Sequence, residues 1–127
     1  AAADEYDLDK IFLVAPSSTD DRIAMTTAAA RGFVYAAAVM GVTGGKAANA
    51  DLVAPLVART KATTDLPVGV GIGVTDGAQA RQIAQYADGV IVGSAFVRAI
   101  LDAKGDQKTA MAALATLTKD LAEGVRR

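Results

Sequence analysis

The chain has 127 residues, enough for one domain with a core of its own. Hydrophobic residues make up 52% and charged residues 21%, a globular balance rather than a disordered one. The formal net charge is −1, the signs are interspersed and aromatics reach only 5%, so nucleic acid is excluded as an expected partner.

Cysteine and histidine are both absent. This removes disulfides, thiolate nucleophiles, the usual zinc sites and a Ser-His-Asp triad. No metal or cofactor is expected. Any acid–base work falls to Asp, Glu, Lys or Tyr. The apolar runs are strand-sized, so no membrane span is expected. The acidic start, AAADEYDLDK, has no apolar signal-peptide core and no initiator Met. These features suggest a processed chain or a fragment, with the cytoplasm as the default location.

In chain order, Ile11 to Ala15 is a continuous apolar run ending at Pro16, the pattern of a strand buried on both faces. Ser17 to Asp21 reads as a helix start, with Ser18 able to cap and Asp20 and Asp21 in the first turn. This helix is predicted to run to about Arg31 and stop at Gly32. Phe33 to Ala38 is the second buried strand. A polar, small, Gly-rich loop follows from Val39 to about Asp51. Pro55 is predicted as the first residue of a helix ending near Thr64. Val68 to Ile72 is the third strand, and Thr75 or Asp76 caps a helix with Ala80, Ile83, Ala84 and Ala87 on one face. Val90 to Val92 is the fourth strand, and Ser94 to about Leu101 a short helix. A last helix, about Asp106 to Arg126, carries Met111, Leu114, Leu117, Leu121 and Val125 on its inner side. Asp65 and Asp88 read as turn residues before strands.

Alternating strands and helices imply parallel strands with right-handed crossovers. An open four-stranded sheet and half of a (β/α)8 barrel, which takes about 250 residues in all, both suit that order. Three turns stand out: GVTGG (Gly41 to Gly45), GVGIG (Gly69 to Gly73) and GVIVGSA (Gly89 to Ala95). Each accompanies an apolar strand and precedes a helical pattern. Glycine lets backbone approach a ligand, and a helix start offers free N–H groups to an anion. Ordinary βα-turn packing would also use such glycines. Their recurrence at successive strand ends points to a phosphate cradle.

The segments IFLVAPSSTDDR, GFVY, MGVTGG, TDLPVGVGIGVTD and YADGVIVGSAFV, in this order, resemble the second half of the tryptophan synthase alpha subunit, from about Leu8 to Arg127. The resemblance implies an α/β fold of four parallel β/α units, half of a (β/α)8 TIM barrel carrying barrel strands 5 to 8, as a single domain over residues 1–127. It implies a lyase of tryptophan biosynthesis that cleaves indole-3-glycerol phosphate to indole and glyceraldehyde 3-phosphate and works with a beta subunit. It assigns Gly44, Gly73, Gly93 and Ser94 to the substrate phosphate, Tyr35 and Phe33 to the indole pocket, and Thr43 to ordering of the loop. Tyr35 also suits an ordinary core position, and Thr43 a role within its own loop.

The family's catalytic glutamate and aspartate belong to barrel strand 2 and the residues after it. None of the fourteen acidic residues here matches either one. This chain is therefore expected to grip phosphate without supplying proton-transfer groups. It needs a longer chain or a partner half, or it is a non-catalytic half-barrel that self-associates. Gly45-Lys46 also replaces the family's usual Ala-Arg, keeping charge but losing a forked donor.

Overall fold

The computed structural model describes residues 1–38 and 46–126, with side-chain surroundings given outside 39–51. In order, the elements are α1 (Ala2–Glu5), β1 (Leu13–Val14), α2 (Asp20–Ala29), β2 (Val34–Ala37), α3 (Lys46–Lys61), β3 (Val68–Gly71), α4 (Gly77–Ala84), β4 (Gly89–Val90), α5 (Ser94–Asp102) and α6 (Gln107–Arg126). The strands form one four-stranded sheet in the order β1-β2-β3-β4. The α/β class and the alternation read from the sequence both hold. The chain comprises two compact units, Ala1–Ile72 with Tyr86–Gly89, and Gly73–Gln85 with Val90–Arg127.

In the first unit, parallel pairing sets Leu13 beside Tyr35 and Val14 beside Ala36. It continues with Val34 beside Val68, Tyr35 beside Gly69, Ala36 beside Val70 and Ala37 beside Gly71. Side chains alternate across a strand, and the burial of β1 and β2 follows that period of two. Val14, Val34, Ala36, Val68 and Val70 are sealed, and Ile23 of α2 and Val53, Leu56 and Val57 of α3 complete the core. Each such Val, Leu or Ile contributes roughly 1.5–3 kcal/mol on burial.

The opposite face is different. Phe33, Tyr35 and Ala37 are only half-buried, and Leu13 is 63% exposed, with Ile11 and Phe12 also open. The expectation of strands covered on both faces therefore fails for β1 and β2. Within this unit α2 and α3 cover the sealed face, and β1 stands at the edge of the sheet.

Helix limits follow local chemistry. Thr19, not Ser18, caps α2, its Oγ1 accepting from the Arg22 N–H at 3.2 Å. The Ser18 hydroxyl instead accepts from the Ala15 N–H at 3.1 Å. Arg59 of α3 holds this β1–α2 turn, donating to Asp20 Oδ1 at 2.7 Å and to the carbonyls of Pro16 and Ser18. Pro55 lies inside α3 rather than opening it. The buried stripe Val53, Leu56, Val57 and Thr60 drives the helix through the proline, which removes one backbone rung on the exposed side.

In the second unit, Asp76 caps α4, its Oδ1 accepting from the Gln79 N–H at 2.8 Å. Asp120 of α6 accepts from the Gly77 N–H at 2.8 Å, so two carboxylates satisfy the amide end of α4. Helix α6 buries Leu121 and Gly124, whereas Met111 and Val125 stay 62% and 42% exposed. The predicted inner stripe of α6 is thus only partly covered. A Cβ at Gly124 would lie 2.8 Å from the Gly77 Cα, and this close crossing fixes where α4 and α6 meet.

Asp88 does more than turn the chain. Its N–H donates to the Val68 carbonyl at 3.0 Å, and its Oδ2 accepts from the Val68 N–H at 2.9 Å. Lys61 Nζ completes the clamp at 3.2 Å. The Val68 N–H, aided by Lys61, holds the Asp88 carboxyl below the usual carboxylate range. A depressed folded pKa gives stability that is present above the unfolded value of about 4 and is lost as pH falls through the folded value. Asp88→Ala is expected to destabilise the chain by about 1 kcal/mol near neutral pH, toward the low side because the site is half open to solvent. In urea unfolding, the gap between wild type and variant should close as pH drops below about 4. A pH-independent gap would contradict this role.

Candidate functional site

Gly73, Gly93 and Ser94 lie just beyond the ends of β3 and β4. Strand β3 runs out at Gly71, and two residues later Gly73 adopts φ +79°, a conformation that side chains rarely enter. Nothing stands within 4 Å of a Cβ built at Gly73, so backbone conformation, not crowding, selects glycine there. After β4, Gly93 is the N-cap of α5 and Ser94 its first residue. The Phe96 and Val97 amides donate to the Gly93 carbonyl at 3.0 and 3.2 Å. The Ser94 and Ala95 amides head the helix, where no intrahelical acceptor exists, and the helix dipole adds positive potential. Ser94 is exposed, so its hydroxyl is accessible alongside them.

Gly73, Gly93 and Ser94 all belong to the second unit. Ser94 and Thr75, two residues beyond Gly73, line one open cavity of about 280 Å³ there. Gly44 and Thr43 lie outside the described residues, so two of the predicted site positions have no structural account.

The residues predicted for an aromatic pocket sit in the first unit. Tyr35 of β2 and Phe33, just before the strand, are both half-buried. The alternation GVGIG puts Gly69 and Gly71 beside Tyr35 and Ala37 on one face, leaving β3 without side chains there. A Cβ built at Gly71 would lie 2.9 Å from the Tyr35 Cε1 and would collide with the hydroxyl as well. The ring of Tyr35 thus occupies the room that Gly71 leaves. Leu13, the register partner of Tyr35 on β1, belongs to the same face and was not singled out from the sequence. Apolar runs do not show which members look outward until the register is known.

Among the described residues, no carboxylate forms a hydrogen bond with Leu13, Phe33 or Tyr35. The acids with resolved roles are structural: Asp76 and Asp120 cap α4, and Asp88 clamps β3. Asp106 accepts from Thr109 Oγ1 at 2.6 Å at the start of α6, and this bond holds its carboxyl below the usual range. Among the described residues, no group of three or more Asp or Glu could hold a metal ion. No helix among them is long and apolar enough to cross a membrane.

Comparison with known proteins decides the kinship. The sequence model of the tryptophan synthase alpha chain matches residues 1–126. The chain belongs to the tryptophan synthase alpha chain family. It is 62% identical over 128 residues to the tryptophan synthase alpha chain of Acidothermus cellulolyticus, covering 100% of this chain and 46% of that one. The alpha chain of Mycobacterium marinum is 56% identical over 127 residues, with 100% and 45% covered. A solved structure of Mycobacterium tuberculosis tryptophan synthase superposes with a TM-score of 0.83 at 56% identity, covering 99% of this chain and 45% of that one. The chain thus spans about half the length of the curated relatives it matches. The family match begins at residue 1, ahead of the motifs that carry the resemblance from about Leu8.

Within this alpha chain family member, the Tyr35–Gly71 contact yields a direct check. Gly71→Ala is expected to drive the Tyr35 ring from its place and destabilise the chain by about 1–3 kcal/mol. Near-ultraviolet circular dichroism and urea unfolding would report both effects. Wild-type stability with an unchanged Tyr35 signal would show that the glycine is dispensable.

Proposed function

We propose that this chain is the phosphate-binding, C-terminal half of a tryptophan synthase alpha-type lyase, acting on indole-3-glycerol phosphate. On this reading it forms a single half-barrel domain, residues 1–127. The observation that carries the proposal is the family match over residues 1–126, joined to the left-handed turn at Gly73 and the helix start at Ser94. The Gly73 and Gly93 turns and the Ser94 amide and hydroxyl donate to the phosphate oxygens, and Gly44 contributes likewise from the preceding turn. Such fixed donors bind an oxyanion with little reorganisation. Tyr35, Phe33 and Leu13 border the indole ring, and Thr43 orders the loop that closes over it.

Cleavage into indole and glyceraldehyde 3-phosphate needs a base for the indole N–H proton and an acid for C3 of the ring. None of the fourteen acidic residues matches the family's catalytic pair, so on this reading both groups come from the rest of the barrel. A beta subunit receives the indole. The soluble, cytoplasmic setting of a biosynthetic enzyme suits these roles.

Adding glycerol 3-phosphate to the isotope-labelled chain is expected to shift the Gly73, Gly93 and Ser94 amide resonances saturably. Ser94→Ala should weaken that binding about tenfold, the worth of one charge-assisted hydrogen bond. The same chain should release no indole from indole-3-glycerol phosphate. Turnover by these residues alone, or a folded sample with no saturable shift, would overturn the reading.

A second reading, a self-associating half-barrel without catalytic duty, is favoured by one feature. Ile11, Phe12 and Leu13 are exposed at the β1 edge, and an open apolar edge invites pairing. Concentration-dependent dimerisation in light scattering is its expected signature. A compact monomer at high concentration would dismiss it.

A further inference from the structure

Four polar residues meet at the 280 Å³ cavity of the second unit: Thr75, Ser94, Arg98 and Asp102. Ser94, Arg98 and Asp102 are spaced four apart on α5 and therefore share one helix face. Side chains on a helix lean toward its N-terminus, so a long side chain at Arg98 covers the turn that Ser94 opens. The rise between the two is about 6 Å, a span that an arginine stem matches. The Asp102 carboxylate lies a further turn away, near the helix end that repels anions.

Other donors on this wall are engaged or uncharged. The Thr75 N–H and hydroxyl both donate to Gln79 Oε1, at 2.9 and 3.3 Å. Helix α6 contributes only Leu117 to the cavity lining. Arg98 is exposed, and among the described residues it forms no ion pair. It is thus the cation of this cavity, one turn behind the amides and hydroxyl of Ser94.

We propose that Arg98 is a further phosphate-binding residue, a swinging cation that selects the dianionic form of the ligand over the monoanion. The proposal rests on the phosphate reading above. Amides and a hydroxyl recognise the shape of the phosphate group. A full positive charge responds to the second negative charge on it.

The test is an NMR titration of the 127-residue chain with glycerol 3-phosphate at pH 5.5 and pH 7, comparing wild type, Arg98→Gln, Arg98→Lys and Ser94→Ala. A phosphate monoester loses its second proton near pH 6, about midway between the two conditions. The chain has no histidine, so the ligand is the principal group titrating in that window. Wild type should bind more tightly at pH 7. Arg98→Gln should weaken binding at pH 7 by roughly three- to tenfold and reduce both the pH effect and the salt sensitivity. Arg98→Lys should restore part of each. If Arg98→Gln binds as wild type does at both pH values while Ser94→Ala loses affinity, the phosphate site stands and the role of Arg98 falls. If wild type shows no saturable shift at all, the phosphate reading falls and this inference with it.

Discussion

The parallel pairing of β2 with β3 is the constraint on which the first unit depends. It sets Val34 and Ala36 beside Val68 and Val70 on the face that α2 and α3 seal. The same register sets Tyr35 and Ala37 beside two glycines on the other face. One strand pair therefore produces a closed side and an open side. A slip of one residue would exchange them, burying the tyrosine and exposing the valines. The size of Tyr35 and the emptiness at Gly71 are consequently one feature rather than two.

Local charge is handled by position along the helices. Carboxylates stand where backbone amides need partners: Asp76 and Asp120 at α4, Asp88 at the start of β3 and Asp106, accepting from the Lys108 N–H, at the start of α6. The α5 start is treated otherwise, for Gly93 caps it without a side-chain hydrogen bond. A helix start without a side-chain cap is a place where an external anion can take that role. The proposed phosphate site follows from this contrast.

Much of the fold was legible because its signals are local. Apolar runs marked all four strands, and Thr, Ser and Asp clusters marked the starts of α2 and α4 to within a residue. Pro55 misled because proline favours a first turn, whereas a buried stripe carried α3 past it. Burial of β1 on both faces was overestimated for a different reason. Ile11 to Ala15 reads as continuously apolar, and composition cannot reveal that Ile11, Phe12 and Leu13 stay exposed. At the site, Gly73, Gly93 and Ser94 were visible as turn chemistry. Leu13 and the Tyr35–Gly71 contact were not, since both depend on cross-strand register. Asp88 looked like any turn residue until its bonds to Val68 appeared.

On the proposed function, this chain supplies the phosphate grip and the aromatic-facing strands, while the proton-transfer carboxylates come from another half. Mixing it with the separately produced N-terminal half of the Acidothermus cellulolyticus alpha chain, and following indole release from indole-3-glycerol phosphate, tests that division most directly. Neither piece should cleave alone, and the mixture should. A mixed complex that forms but stays inert, or cleavage by the present chain without its complement, would contradict it.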